Sequence, residues 1–344
     1  MTTPAAPGFP AHLSVLDRSL TREGEHPGQA LRETVRFARE VERLGYRRFW
    51  VSEHHAVPGI AGSAPTVLAS AVAAATSRIR VGTGGVMLPN HQPLVVAEQF
   101  GVLESLFPGR IDMGLGRSVG FTDGVRKALH VGKDAAGGFS GQVGELLSYF
   151  AGTGPVRARP AEGLRVPAFV LAIGSGAGIA AEHGLPLVIG ASRDESRTRE
   201  AIDGYRAAFV PGAHGGSPYV VVAVNAAVAA TREEAETLQV PEAWSMALSR
   251  TRGSFAPLVP AGEVLALEMT AKERAAFDEA RESPVRGTAE EVTAALAALV
   301  ERTGADELLL TLNTYDPAER LASYRRLAEA AGTVSRRAPA ALAS

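Results

Sequence analysis

Short apolar, largely β-branched runs alternate with longer helical patterns along almost the whole chain, and this alternation limits the fold more than any other feature. The runs are LSVLD (13–17), RFWVSE (48–53), IRVGTGG (79–85), RIDMGLG (110–116), AFVLAIG (168–174), LPLVIGA (185–191), YVVVAVNAAVA (219–229) and DELLLTL (306–312). Helical patterns follow them. In QALRETVRFAREVERLG, Leu31, Val35, Ala38, Val41 and Leu44 fall at helical spacing, and Gly45 supplies a stop. In DPAERLASYRRLAEAAG, Asp316 is the expected N-cap and Pro317 the first helical residue.

Alternating βα units make a parallel sheet, and eight of them in 344 residues point to a closed (β/α)8 TIM barrel spanning residues 1–344 as one α/β domain. An open doubly wound sheet with a separate second domain is the alternative, and it needs fewer strands. One region breaks the rhythm. Residues 231–305, between the seventh and eighth strands, read as a helical insertion. It contains RTRGSFAPLVPAGE, marked by glycine and proline as a mobile stretch. An insertion here lies over the C-terminal mouth, where barrel chemistry sits, and would act as a lid.

Bulk properties narrow the partners. The 35 basic and 37 acidic residues give a net charge of −2 and are spread along the chain, which argues against nucleic acid or an anionic membrane as partner. There is no cysteine, so disulfides, thiolate metal sites and cysteine nucleophiles are excluded, in keeping with a reducing compartment. The opening MTTPAAPGFPAH lacks the charged and apolar regions of a signal peptide. The longest apolar stretch, Tyr219 to Ala230, falls far short of the roughly 20 residues of a membrane helix. The expectation is a soluble cytoplasmic protein.

Four strand ends carry residues suited to chemistry. The second ends in SEHH, Ser52 to His55. Consecutive strand residues face opposite ways, so His54 and His55 diverge and do not chelate one ion; no metal site is expected. Parity alone leaves open which histidine faces inward. The third ends in Gly84-Gly85, either a tight exit or a close approach by a flat ligand, with His91 beyond as a mouth or loop-capping residue. The fourth ends in Gly116 and Arg117, a phosphate clamp or a surface arginine paired with Asp123. The fifth runs into Gly174, Ser175, Gly176 and Gly178 before a helix, a turn able to grip phosphate with backbone N–H groups. A dinucleotide fingerprint would place that turn first in the chain, with an acid closing the next strand; this turn is fifth and the next strand ends VIGA.

Taken together, LSVLDRS, LGYRRFWVSEHH, IRVGTGGVMLPNHQPLVVAEQF, LFPGRIDMGLGR and DELLLTLNTYDPAERLASY resemble the bacterial luciferase-like flavin monooxygenases, closest to a subgroup common in natural-product pathways. The resemblance is dense from Leu13 to Arg117 and returns in 168–190 and 306–328. It implies a barrel, usually a homodimer through its early helices, that uses reduced FMN from a separate flavin reductase together with O2 and a small-molecule substrate. It implies His54 as the catalytic histidine near the flavin, able to move a proton, with Glu53 and His55 buttressing the strand end. Gly84-Gly85 would back the isoalloxazine ring through a peptide often cis in the family, and Arg117 with Gly174, Ser175 and Gly176 would hold the phosphate. Relatives usually place two or three hydroxyls in that turn, whereas IGSGAGIA keeps only Ser175. Each lost hydrogen bond to a charged acceptor is worth about 1 kcal/mol or more, so weaker FMN retention follows. A flavin- or deazaflavin-dependent dehydrogenase, or a flavin-free auxiliary protein on the same scaffold, are the alternatives.

Overall fold

The computed structural model describes residues 9, 11–120, 122–172, 176–191, 194–282 and 284–333. Its first half runs β1 (His12–Asp17), α1 (Pro27–Arg43), β2 (Arg48–Val51), α2 (Pro65–Ala75), β3 (Arg80–Thr83), β4 (Val86–Met87), α3 (Pro93–Leu106), β5 (Ile111–Gly116), α4 (Asp123–Ala128) and α5 (Phe139–Ala151). Next come β6 (Ala168–Ala172), α6 (Gly176–Glu182), β7 (Leu187–Gly190), α7 (Glu195–Ala208), β8 (Val220–Val228) and α8 (Arg232–Arg252). The chain continues through α9 (Ala261–Leu265), α10 (Ala271–Glu282), β9 (Val285–Gly287), α11 (Ala289–Thr303), β10 (Glu307–Thr311) and α12 (Pro317–Ala330).

The eight long runs of the sequence are the eight barrel strands, all paired in parallel in the order β1, β2, β3, β5, β6, β7, β8, β10. β10 pairs with both β8 and β1, which closes the barrel and excludes the open sheet. Two short strands are additions. β4 resumes the third strand after Gly84-Gly85 and pairs with β5, and β9 extends the end of β8. Local signals act as expected. Asp316 caps α12 through Ala318 N at 2.7 Å, and Gly45 takes a left-handed φ of 83°. A Cβ on Gly45 would lie 2.5 Å from the Thr333 carbonyl oxygen, so the stop is also a packing requirement.

The core has two layers. Residues on the outer strand faces pack against the helices in one continuous shell. Inside, Trp50, Phe169, Val188, Val221 and Leu309 form a separate cluster, with the Trp50 and Phe169 rings 4.9 Å apart from opposite sides of the barrel. Below this plug lies a buried ionic layer. Arg48 donates from Nε to Glu307 Oε1 at 2.9 Å and from Nη1 to Asp112 Oδ2 at 2.9 Å. Arg80 reaches Asp112 Oδ1 at 2.6 Å, Trp50 Nε1 donates to Asp112 Oδ2 at 3.2 Å, and the Tyr219 hydroxyl donates to Glu307 Oε2 at 2.8 Å. Ser14 Oγ also donates to Glu307. Burial alone would lower the Arg48 pKa, but the two carboxylates raise it and hold the guanidinium protonated.

Within 231–305, α8, α9 and α10 share a small core of their own, including Val240, Trp244, Val264 and Phe277. α11 instead packs Val292, Leu296, Leu299 and Val300 into the barrel shell. The glycine- and proline-marked stretch touches the barrel's loops through its backbone: Leu258 N donates to Thr21 O at 2.8 Å and Gly59 N to Phe255 O at 2.9 Å.

Breaking the ionic layer on one side strands a buried charge, whereas removing both partners does not. Arg48→Met should therefore destabilise the protein by about 3–5 kcal/mol, read as a lowered urea midpoint. The double variant Arg48→Met/Glu307→Gln should recover part of that loss.

Candidate active site

Parity along β2 sets the site. Arg48 and Trp50 point into the barrel, and two further steps bring Ser52 and His54 to the same interior line at the mouth. There His54, Gly84, Gly85, Arg117 and Gly176, from four strand ends, line one cavity of about 570 Å³. That size is ordinary for a cofactor or small-molecule site. Gly174 and Ser175 lie outside the described residues. A groove of about 450 Å³ between α1 and α12 contains none of these residues.

The cavity has a wall without side chains. The Gly84-Gly85 peptide is cis. A Cβ on Gly84 would meet Leu16 Cδ1 at 2.6 Å, and one on Gly85 would meet the Gly114 carbonyl oxygen at 2.7 Å. Gly114 is packed equally hard, its Cβ position only 1.9 Å from Thr83 O. Arg117 is exposed at the rim, and Asp123 nearby in sequence holds Arg126 and, at 3.8 Å, Lys133.

His54 is fixed at both ends. Its backbone N–H donates to Gly62 O at 2.8 Å, and its Nδ1 lies 3.2 Å from Ser52 Oγ. Burial, then the charge of Arg18, pulls its pKa down to about 4, so the ring is neutral at pH 7. Glu53 also lines this cavity, just past the end of β2, while its carboxylate turns to His55 and His91. What the sequence did not reveal is where they meet. Glu53 Oε1 accepts from His55 Nε2 at 2.7 Å and from His91 Nε2 at 2.9 Å, while Oε2 accepts from Met87 N at 2.9 Å. Burial would raise this carboxyl, but the two imidazoles and the Met87 amide hold it down to about 2. Glu53 and His55 lie two residues apart just past the end of β2; that His91 joins them depends on the turn after β4, which periodicity does not encode.

A second cavity of about 340 Å³ adjoins the first across Leu16, beneath α8. Its polar wall is one network. Glu242 on α8 pairs with Arg18 at the end of β1 and accepts from Asn225 Nδ2 at 2.6 Å and Asn313 Nδ2 at 2.8 Å. Gln239 donates to Asn225 Oδ1 at 2.8 Å. This site, invisible in the sequence, ties the insertion to three strand ends.

Residues 12–307 match the model of the luciferase-like monooxygenase family. The chain belongs to that family and is an oxidoreductase. It is 38% identical over 322 residues to the uncharacterized protein YvbT of Bacillus subtilis strain 168, covering 92% of this chain and 96% of that one. It is 34% identical over 320 residues to the luciferase-like monooxygenase of Escherichia coli K12, covering 91% and 94%. Among solved structures, apo-MsnO8 superposes with a TM-score of 0.85 at 35% identity, covering 94% of this chain and 98% of that one. Two more distant structures share the fold alone: the oxygenating constituent of 3,6-diketocamphane monooxygenase from Pseudomonas putida, in complex with FMN (TM-score 0.71, 17% identity, 93% and 97% covered), and an F420-dependent secondary alcohol dehydrogenase with an F420-acetone adduct (0.64, 16%, 93% and 99%).

The glycine wall gives a paired test. Gly85→Ala drives a methyl into backbone and should cost about 1–3 kcal/mol, as overpacking does. Gly116→Ala meets nothing closer than Val86 O at 3.7 Å and should leave the thermal midpoint within a degree or two of wild type.

Proposed function

We propose that the protein is an FMN-dependent monooxygenase that receives reduced flavin from a separate reductase and oxygenates an organic small molecule with O2. The observation that carries this reading is the convergence of His54, Gly84, Gly85, Arg117 and Gly176 on one cavity in a chain of this family. A flavin ring is flat and needs a wall free of side chains, and the clashes that any Cβ would meet at Gly84 and Gly85 fit that demand. On this reading Gly84 and Gly85 back the ring, and Arg117 with Gly174, Ser175 and Gly176 holds the phosphate. When bound, reduced FMN supplies the electrons that activate O2.

The chain's own groups do the rest. His54, oriented by Ser52, moves the proton at its imidazole. Leu16 divides the flavin cavity from the one beneath α8, where the substrate sits against Asn225, Gln239 and Met246. The insertion acts as the lid, held by the Arg18–Glu242 pair. Val67, Val95, Val102 and Leu106, exposed on α2 and α3, support a homodimer through these early helices. No helix among the described residues is long and apolar enough to cross a membrane, and the cysteine-free composition suits a cytoplasmic enzyme.

Anaerobic titration with reduced FMN should show saturable binding; none at high micromolar flavin overturns the proposal. Arg117→Ala should weaken FMN binding by about 1.5–3 kcal/mol, roughly 10- to 100-fold, while leaving riboflavin binding unchanged. His54→Ala should bind reduced FMN normally yet lower the rate of substrate-dependent O2 uptake by about 10²- to 10⁴-fold. Turnover without O2 uptake would favour the dehydrogenase reading instead.

A further inference from the structure

We propose that Glu53, His55 and His91 form a binding site for a divalent first-row transition-metal ion, set in the wall between the end of β2 and the turn that follows β4. The three ligand atoms, one carboxylate oxygen and two imidazole nitrogens, all lie within 4.8 Å of one another. Two imidazoles and one carboxylate with further positions left to water form a donor set for zinc, cobalt, manganese or iron. The adjacency of His54 and His55 argues against chelation by that pair, but the chelating residues are a different set. Glu53 and His55 lie two residues apart just past the end of β2, and His91 arrives from another segment.

The triad is preorganised. Glu53 has a side chain with no exposure, and its second oxygen is held by the Met87 amide at 2.9 Å, which fixes the carboxylate as outer-shell partners do. His91 follows a single 3₁₀ turn, and its amide donates to Leu88 O at 2.9 Å. Both ring nitrogens now converge on one oxygen, at 2.7 and 2.9 Å. Ligand atoms about 2.1 Å from a shared ion sit roughly 3.0–3.4 Å apart, so the two Glu53–imidazole contacts need open by only about half an ångström. Each imidazole can carry its hydrogen on Nδ1 and so present the Nε2 lone pair to an ion. His55 and His91 are 20% and 31% exposed at the side chain, which leaves a route from solvent. Glu53 is also the one carboxylate lining the larger cavity among the described residues, so the ion would stiffen that wall from behind and join the His54 strand end to the segment after Gly85.

The test uses full-length protein with any affinity tag removed, stripped with EDTA and dialysed. Cobalt(II) is titrated while its visible d–d absorption is followed. One equivalent should saturate the signal, and zinc should abolish it by displacement. His91→Ala and His91→Gln should each bind at least about tenfold more weakly. His183→Ala, which alters a histidine after α6 that contacts Ser140 and not the triad, should titrate like wild type. Should the alanine variant fold poorly, thermal shift decides: zinc should raise the midpoint of wild type and not that of folded His91→Gln. Absence of saturable cobalt binding, or binding unaltered in the His91 variants, overturns the site and leaves a hydrogen-bonded triad.

Discussion

Arg48 is the residue around which the barrel closes. It sits at the start of β2 and touches acids from β5 and β10, neither of which is an immediate neighbour of β2, so its contacts cross the barrel interior. Arg48, Arg80 and, at 3.7 Å from Glu307, Arg47 set three cations against Asp112 and Glu307, and Tyr219, Trp50 and Ser14 add hydrogen bonds to the acids. A buried pair of this kind adds little net stability over a well-packed apolar layer, but it tolerates few alternatives. A one-residue slip of β2 would turn Arg48 outward into the apolar shell and leave both acids without their shared cation.

That registry reaches the mouth. Because β2 is locked with Arg48 and Trp50 inward, the segment that leaves it brings Ser52, Glu53 and His54 to the cavity wall at the mouth. The chemistry at one end of the strand is positioned by electrostatics at the other, about three residue pairs away. The interior plug of Trp50, Phe169, Val188, Val221 and Leu309 separates the two, keeping the ionic layer dry and giving the cavity its floor.

The architecture was legible because every barrel strand is buried and apolar and every connection is helical, so periodicity switches cleanly eight times. The inward histidine was not legible from parity. Arg47 and Arg48 are adjacent charges at the start of β2, so counting in twos from one selects His55 and from the other His54. Only the contacts of Arg48 with Asp112 and Glu307 decide between them. What periodicity does not carry is contact between distant irregular segments. The Glu53–His91 hydrogen bond depends on how the chain turns after β4, and the Glu242 network depends on where α8 crosses the mouth. The backbone contacts of RTRGSFAPLVPAGE were out of reach for the same reason. Glycine and proline mark a chain without regular structure, and say nothing of the backbone at Thr21 and Gly59 that holds it.

The mouth and the base of the barrel make opposite uses of the interior. At the base Arg48, Arg80, Asp112 and Glu307 fill the interior with side chains that partner one another. At the mouth Gly84, Gly85, Gly114 and Gly116 carry none, although glycine weakens a strand and the space they leave is unfilled core. The strands themselves enforce part of this, since β3 and β5 approach so closely that Thr83 O would sit 1.9 Å from a Cβ at Gly114. Such a pair of strands cannot hold its own register through side-chain packing on the inward face. Register comes from the backbone ladder and from two side-chain ties beside it: Arg80 reaches Asp112, and the Thr83 hydroxyl donates to Gly114 O at 2.8 Å. The acid that secures Arg48 thus also joins β3 to β5 beneath the glycine wall, so the open cavity and the ionic layer share a support.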